Sequence, residues 1–249
     1  MHNPFSLEGK TIFITGASSG LGVSIAQECA NMGSQIVITG RNPDRLNETY
    51  LSLSGSGHSQ IVGDLTLQDD IDLIVDKLPC LDGLVLNAGV LKTLPVKNIT
   101  SAALEEVFNT NIISSILLVQ KLLKKKKINK NASIVFISSI SSFHVKIGNS
   151  LYSATKGAIN SFMKVLALEL ASQKITVNSI QPGFIKTRAL DSGIITEEQL
   201  ESHFKIYPLG IGKPSDIAYA CIYLLSDAAS WVTGSVFTID GGVTINGGH

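Results

Sequence analysis

Thr11-Ile12-Phe13-Ile14-Thr15-Gly16-Ala17-Ser18-Ser19-Gly20-Leu21-Gly22 runs from a short, β-branched apolar segment directly into a glycine-punctuated turn. The first five residues have the composition of a buried strand, and the periodic segment opening at Gly20 reads as a helix. A turn at that junction presents backbone amides at the positive end of a helix dipole, where phosphate binds. Gly16, Gly20 and Gly22 fit, in that order, a tight turn, close backbone approach to a pyrophosphate, and close packing of helix on sheet. The spacing is G-x-x-x-G-x-G, and a purely structural turn has the same appearance. No Gly-Lys-Ser/Thr closes the turn as a P-loop requires. Gly16 to Gly20 also matches a G-x-S-x-G nucleophile elbow, but that elbow follows several strands and needs an acid and a histidine downstream, for which no suitable setting exists.

Outward from this unit the pattern repeats. Apolar runs at 11–15, 35–39, 83–86, 132–137 and 175–180 alternate with helical periodicity at 20–32, 43–53, 101–127, 150–171 and 214–225. A loop at 54–58 precedes a third strand. Such alternation predicts an α/β doubly wound (Rossmann) parallel sheet of about seven strands, order 3-2-1-4-5-6-7, with helices on both faces. We expect one domain over 1–249, with a substrate lid at 186–213, where the alternation lapses.

The chain has 249 residues, 44% hydrophobic, with 20 Lys+Arg against 20 Asp+Glu. Neutrality argues against a broad nucleic-acid face, and the apolar content against disorder. Cys29, Cys80 and Cys221 show no paired spacing of the kind used by disulfide frameworks or metal sites, so a reducing cytoplasm and no metal are expected. No run of about 18 apolar residues suggests a membrane span.

At the end of the second strand, Thr39-Gly40-Arg41 places a guanidinium where an NAD site carries a carboxylate. With the hydroxyls of Ser18 or Thr39, Arg41 suits the 2′-phosphate of NADP; NAD is the less favoured cofactor. The alternative is an Arg capping a strand end in solvent. Tyr152 and Lys156 share a helix face at i,i+4. Moving a phenol from a pKa of about 10 to 7 requires about 4 kcal/mol, which a cation at about 4 Å supplies at an effective dielectric near 20. One lysine, helped by an oxidised nicotinamide, therefore suits Tyr152 to acid/base work. Ser139, at the carboxyl edge after the fifth strand, is placed to meet the same carbonyl.

In this ordered set the chain resembles the short-chain dehydrogenase/reductase family, ordinary-length subgroup, in its 3-oxoacyl-ACP reductase-like branch. The likeness covers nearly all of the sequence and adds Asp64-Leu65, Asn87-Ala88-Gly89, Asn111, Pro182-Gly183 with Ile185 and Thr187, and Asp240-Gly241-Gly242. It implies that Asp64 and Leu65 lie near adenine, Asn87, Ala88 and Gly89 beside the cofactor, and Thr187 towards the carboxamide. It further implies that Tyr152 donates or accepts the proton, Lys156 holds the nicotinamide ribose, Ser139 bonds the substrate oxygen, and Asn111 positions a water linking Lys156 to solvent. Leu86, where many members have a second Asn, is a departure that loosens this loop. The implied activity is NADP-dependent hydride transfer between nicotinamide and a ketone or secondary alcohol, with a 3-oxoacyl thioester or a sugar, steroid or xenobiotic carbonyl as substrate. The implied assembly is a homotetramer, or less often a dimer.

A non-catalytic NADP-sensing module is the competing reading, against which stands the full Asn111, Ser139, Tyr152 and Lys156 set. Six lysines between 121 and 130 are either a solvated helix end or a docking face for an acidic carrier. His144 and the rest of 142–147 are expected to border the substrate, and Trp231 to pack near the last strand.

Overall fold

The computed structural model describes residues 3–186 and 206–246. Seven strands, β1 (Thr11–Thr15), β2 (Gln35–Gly40), β3 (Ser59–Val62), β4 (Leu81–Leu86), β5 (Ile128–Ile137), β6 (Thr176–Pro182) and β7 (Val236–Ile239), form one sheet. Its order is β3-β2-β1-β4-β5-β6-β7 with every pair parallel, as the alternation predicted. The helices are α1 (Gly20–Asn31), α2 (Pro43–Leu51), α3 (Gln68–Lys77), α4 (Ser101–Phe108), α5 (Ser114–Lys124), α6 (Ser150–Leu170) and α7 (Pro214–Leu225).

Side chains alternate across the pleat, so each strand feeds two cores. Phe13, Leu84, Phe136 and Val177 face α3, α5 and α6, meeting Ile74, Leu118, Leu122 and Met163. Ile12, Ile14, Val85 and Val135 face α1 and α7, meeting Ile25, Cys29, Ile217 and Cys221. Burial of this kind on both faces explains why the central strands read as unbroken apolar runs.

Two expectations are corrected. The segment 101–127 is not one helix: a π turn, Asn109–Ile113, separates α4 from α5. Ser101–Lys124 has the length and composition to cross a bilayer, but α5 buries Leu118, Val119 and Leu122 under the sheet, which accounts for its apolar character. β5 also starts earlier than expected, at Ile128, because Lys126 turns the chain at φ 54 immediately after α5.

The lysine run has intramolecular work. Lys121 pairs with Asp72 and Lys125 with Asp76, while Lys127 donates to the carbonyl of Leu78, so three of the lysines clamp α5 to α3. Most of the expected lid, and Thr187 with it, lies outside the described residues.

Candidate active site

The carboxyl ends of β1, β4, β5 and β6 carry two adjoining clefts, as the open-sheet topology requires. β1 ends at Thr15, whose hydroxyl accepts from the backbone N–H of Asn87 at 3.0 Å and of Ala88 at 3.1 Å. Asn87 Nδ2 donates back to the carbonyls of Thr15 and Gly16, each at 3.1 Å. The glycine turn and the loop after β4 are thus stitched together. The Leu86 departure does not loosen them, since Leu86 is buried in the core and Thr15 supplies the anchor.

Gly16 has φ 65, and a Cβ there would sit 2.8 Å from Ala88 Cα. At Gly22 a Cβ would stand 2.4 Å from the Gly16 carbonyl, so α1 packs on the turn only because the side chain is absent. Ser19 caps α1 without a side-chain bond to the first-turn amides, and no acidic residue lies in that turn. These amides form a donor set suited to a phosphate. Ser18, Ser19, Gly20 and Leu21 line the first cleft with Ala88 and Gly89, and Arg41, Asp64 and Leu65 line it too. Asp64 Oδ1 accepts from the N–H and hydroxyl of Thr66, at 2.9 and 2.8 Å, while its Oδ2 lies 3.7 Å from Arg41 Nη1. The chemistry of this cleft fits a dinucleotide.

Leu21, Asn87 and Gly89 also border the second cleft, which makes the two continuous. There Pro182, Gly183 and Ile185 at the end of β6 face Ser139, Tyr152 and Lys156. Three consecutive residues at the end of β5 engage the same turn of α6. The Ile137 carbonyl accepts from Lys156 Nζ at 2.8 Å, Ser138 Oγ donates to the Lys156 carbonyl at 3.0 Å, and the Ser139 hydroxyl bonds the Tyr152 phenol. Ser139 Oγ also accepts from Ser141 N at 3.1 Å, at the start of the 3₁₀ turn Ile140–Ser142. Lys156 Nζ lies 5.4 Å from the Tyr152 ring centroid, within cation–π range.

Desolvation dominates the electrostatics of the pair. Burial pushes the Tyr152 phenol up, and the hydrogen bond from Ser139 only partly opposes it. Lys156 is itself desolvated and pushed down to about 8, so the lysine alone does not bring the tyrosine towards neutrality.

Asn111 sits in the π turn, fully buried. Its Oδ1 accepts from Val90 N at 2.7 Å, and its Nδ2 donates to Val90 O at 2.9 Å and to Thr155 Oγ1 at 3.1 Å. A Cβ on Gly89 would be 3.3 Å from Asn111 Oδ1 and 3.6 Å from Lys156 Nζ, so the two side chains approach across Gly89. Sequence reading missed Ser138 and Thr155, hydroxyls whose partners are distant in the chain. The only signal was their adjacency to Ser139 and Lys156.

The family model described as "Enoyl-(Acyl carrier protein) reductase" matches residues 16–244. The 3-oxoacyl-[acyl-carrier-protein] reductase FabG of Rickettsia felis is 34% identical over 238 residues, covering 95% of this chain and 98% of the relative. A tropinone reductase homolog of Arabidopsis thaliana is 31% identical over 98% of this chain and 95% of its own length. A putative 2-deoxy-d-gluconate 3-dehydrogenase from Agrobacterium tumefaciens, solved with bound NADP, superposes with a TM-score of 0.88 at 30% identity, over 98% of this chain and all (100%) of that one. A 7α-hydroxysteroid dehydrogenase complexed with NADH and 7-oxo glycochenodeoxycholic acid gives 0.87 at 30% identity, over 97% and 98% of the two chains. With the parallel sheet and its paired clefts, these similarities establish that the chain belongs to the short-chain dehydrogenase/reductase family, oxidoreductases acting on CH–OH or C=O groups by hydride transfer.

Proposed function

We propose that this protein is an NADPH-dependent reductase of an apolar ketone, with a 3-oxoacyl thioester as the leading substrate class. The observation that carries the reaction is the convergence of Ser139, Tyr152 and Lys156 on one cleft continuous with the glycine turn. The first-turn amides of α1 would hold the pyrophosphate, and Lys156 with Pro182, Gly183 and Ile185 would hold the nicotinamide riboside; Thr187 is assigned to its carboxamide by resemblance alone. When bound, the cofactor supplies hydride in reduction, and its oxidised ring adds a positive charge beside the phenol.

Tyr152 delivers its proton to the carbonyl oxygen as that oxygen gains negative charge. The raised pKa of the phenol keeps it protonated at neutral pH, which is the form that reduction needs. Ser139 donates a hydrogen bond to the same oxygen and stabilises its developing charge. Lys156 supplies a cation within reach of the phenolate that remains. Asn111, its amide engaged by Val90 and Thr155, acts as a positioning residue near Lys156.

NADP is favoured because the end of β2 carries Arg41 and lacks a carboxylate, with Ser18 and Thr39 lining the same cleft. The apolar substrate class is supported by the loops after β4 and β5. They meet through a 2.8 Å bond from Leu94 N to Gly148 O; Leu91 lines the cleft and is exposed, and the loop after β5 exposes Phe143, Val145 and Ile147. The named activity of the Rickettsia felis relative points the same way. A homotetramer is supported by Val165 and Leu168, 56% and 81% exposed on α6, which give this helix an uncovered apolar side. Free thiols at Cys29, Cys80 and Cys221 suit a reducing cytoplasm.

The test measures NADPH consumption against acyl-thioester, sugar and cyclic ketones, in the native protein and in Tyr152→Phe. Turnover highest on the acyl thioester, reduced by about a hundredfold or more in the variant with NADPH affinity retained, is expected. Native turnover in Tyr152→Phe overturns the acid/base assignment.

A further inference from the structure

A fully buried hydroxyl joins the loop after β4 to the turn of α6 that carries Tyr152 and Lys156. Thr155 Oγ1 accepts from Asn111 Nδ2 at 3.1 Å and donates to the Tyr152 carbonyl at 2.8 Å. Asn111 in turn holds both backbone polar groups of Val90, through Oδ1 at 2.7 Å and Nδ2 at 2.9 Å. Val90 and its neighbour Gly89 line the second cleft opposite Tyr152 and Lys156. Asn111 and Thr155 are both 0% exposed, so water cannot replace a lost partner.

We propose that Thr155 is a positioning residue that fixes the Gly89–Val90 wall of the cleft relative to the Tyr152 phenol and the Lys156 ammonium, through the chain Val90–Asn111–Thr155–Tyr152. The chemistry of the position is restrictive. A hydroxyl accepts from the amide and donates to the carbonyl at once, whereas a valine of nearly the same shape does neither. Without it, one Asn111 N–H loses its partner in a dry interior and the amide is drawn elsewhere, carrying Val90 with it. The Tyr152 carbonyl keeps its helical bond but loses the strut that orients this turn against the loop. A shift on the order of 1 Å between the cleft wall and the proton donor lowers turnover strongly while leaving the distant phosphate and adenosine contacts intact.

This inference rests on the assignment of Tyr152 as proton donor. The experiment compares Thr155→Val, Thr155→Ser and, as control, Tyr152→Phe, by steady-state kinetics on a reducible ketone and by NADPH binding followed through the fluorescence of the nucleotide. Thr155→Val should lose about tenfold in kcat while the Kd for NADPH stays within about twofold. Thr155→Ser, which keeps the hydroxyl and drops the methyl, should restore kcat to within about twofold of native. Native kcat in Thr155→Val, or equal losses in the Ser and Val variants, overturns the proposal, because packing of the methyl alone would then be at work. If Thr155→Val does not fold, Thr155→Ser decides: a tenfold loss of kcat at unchanged NADPH affinity overturns the hydroxyl bridge, and native kcat upholds it. Native turnover in Tyr152→Phe sinks the assignment on which the inference rests, whereas an inactive Tyr152→Phe beside a native-like Thr155→Val sinks the bridge alone.

Discussion

Lys156 Nζ donates to the carbonyl of Ile137, the last residue of β5, at 2.8 Å, so the ammonium is held by the strand that also delivers Ser138 and Ser139. The contact is inside the protein, where burial pushes Lys156 down to about 8. A lysine lowered in this way is charged below that value and neutral above it. The cation beside Tyr152 is therefore present at neutral pH and lost as pH rises through about 8. We expect kcat/KM for NADPH, which reports groups of the free enzyme, to be level towards pH 7 and to fall above that midpoint. A profile that stays level until the ordinary lysine range is reached would show that burial does not lower Lys156 in the working enzyme.

Arg41 Nη1 and Asp64 Oδ2, 3.7 Å apart, set up the second prediction. The pair is loose and the guanidinium side chain is 60% exposed, so Arg41 is free to turn to an anion bound against Ser18. Native protein should prefer NADPH to NADH. Arg41→Ala should lower kcat/KM for NADPH by about tenfold or more and leave that for NADH within about threefold. Equal use of the two nucleotides by the native protein would discard the 2′-phosphate role.

Gly22 yields a prediction about the turn itself. Its Cβ would stand 2.4 Å from the Gly16 carbonyl and 2.7 Å from Asn87 Nδ2. Both neighbours belong to the stitching between β1 and the loop after β4, and neither is the loose end of a flexible side chain. Gly22→Ala should push α1 away from the turn, destabilise the fold by about 1–3 kcal/mol, and weaken NADPH binding by at least about tenfold. Thermal melts with and without nucleotide measure both, and a variant that binds NADPH as tightly as native would show that the turn tolerates the shift.

The strand order, the glycine turn and the Ser139, Tyr152 and Lys156 trio were legible because each is written in short-range signals: apolar runs, positive-φ glycines and an i,i+4 pair. α3 was not, since Gln68–Lys77 opens with Asp69 and Asp70 and buries only Ile71, Ile74 and Val75. The π turn was hidden because one extra residue in Asn109–Ile113 barely disturbs the apolar periodicity of 101–127. The charge balance at Tyr152 was legible only in part, for a different reason. Spacing locates the lysine, but only the three-dimensional packing tells how strongly both partners are desolvated. Thr155 and Ser138 have no signal of their own, because a hydroxyl's role here is set by where its partners arrive in space.

The lysines of 121–130 looked like a single positive patch, and the structure divides them. Lys121 on α5 and Lys125 at its C-terminal cap lie one turn apart, facing Asp72 and Asp76, one turn apart on α3, in a two-rung ladder. The hydrogen bond from Lys121 holds the Asp72 carboxyl below its ordinary range, and the one Lys125 donates to Asp76 holds Lys125 above its own. Lys124, Lys126 and Lys130 make no ion pair among the described residues, which leaves them as the cations available to a carrier. Three surface charges without an aromatic or apolar anchor provide little docking energy. Lys124→Ser combined with Lys126→Ser and Lys130→Ser should therefore leave kcat/KM on a carrier-linked 3-oxoacyl substrate within about twofold of native. Lys121→Gln with Lys125→Gln should instead give a small fall in Tm that fades as salt is added, because the ladder is exposed and screened. A tenfold loss on the carrier-linked substrate in the first variant, with a small free thioester unaffected, would restore the run as a docking face.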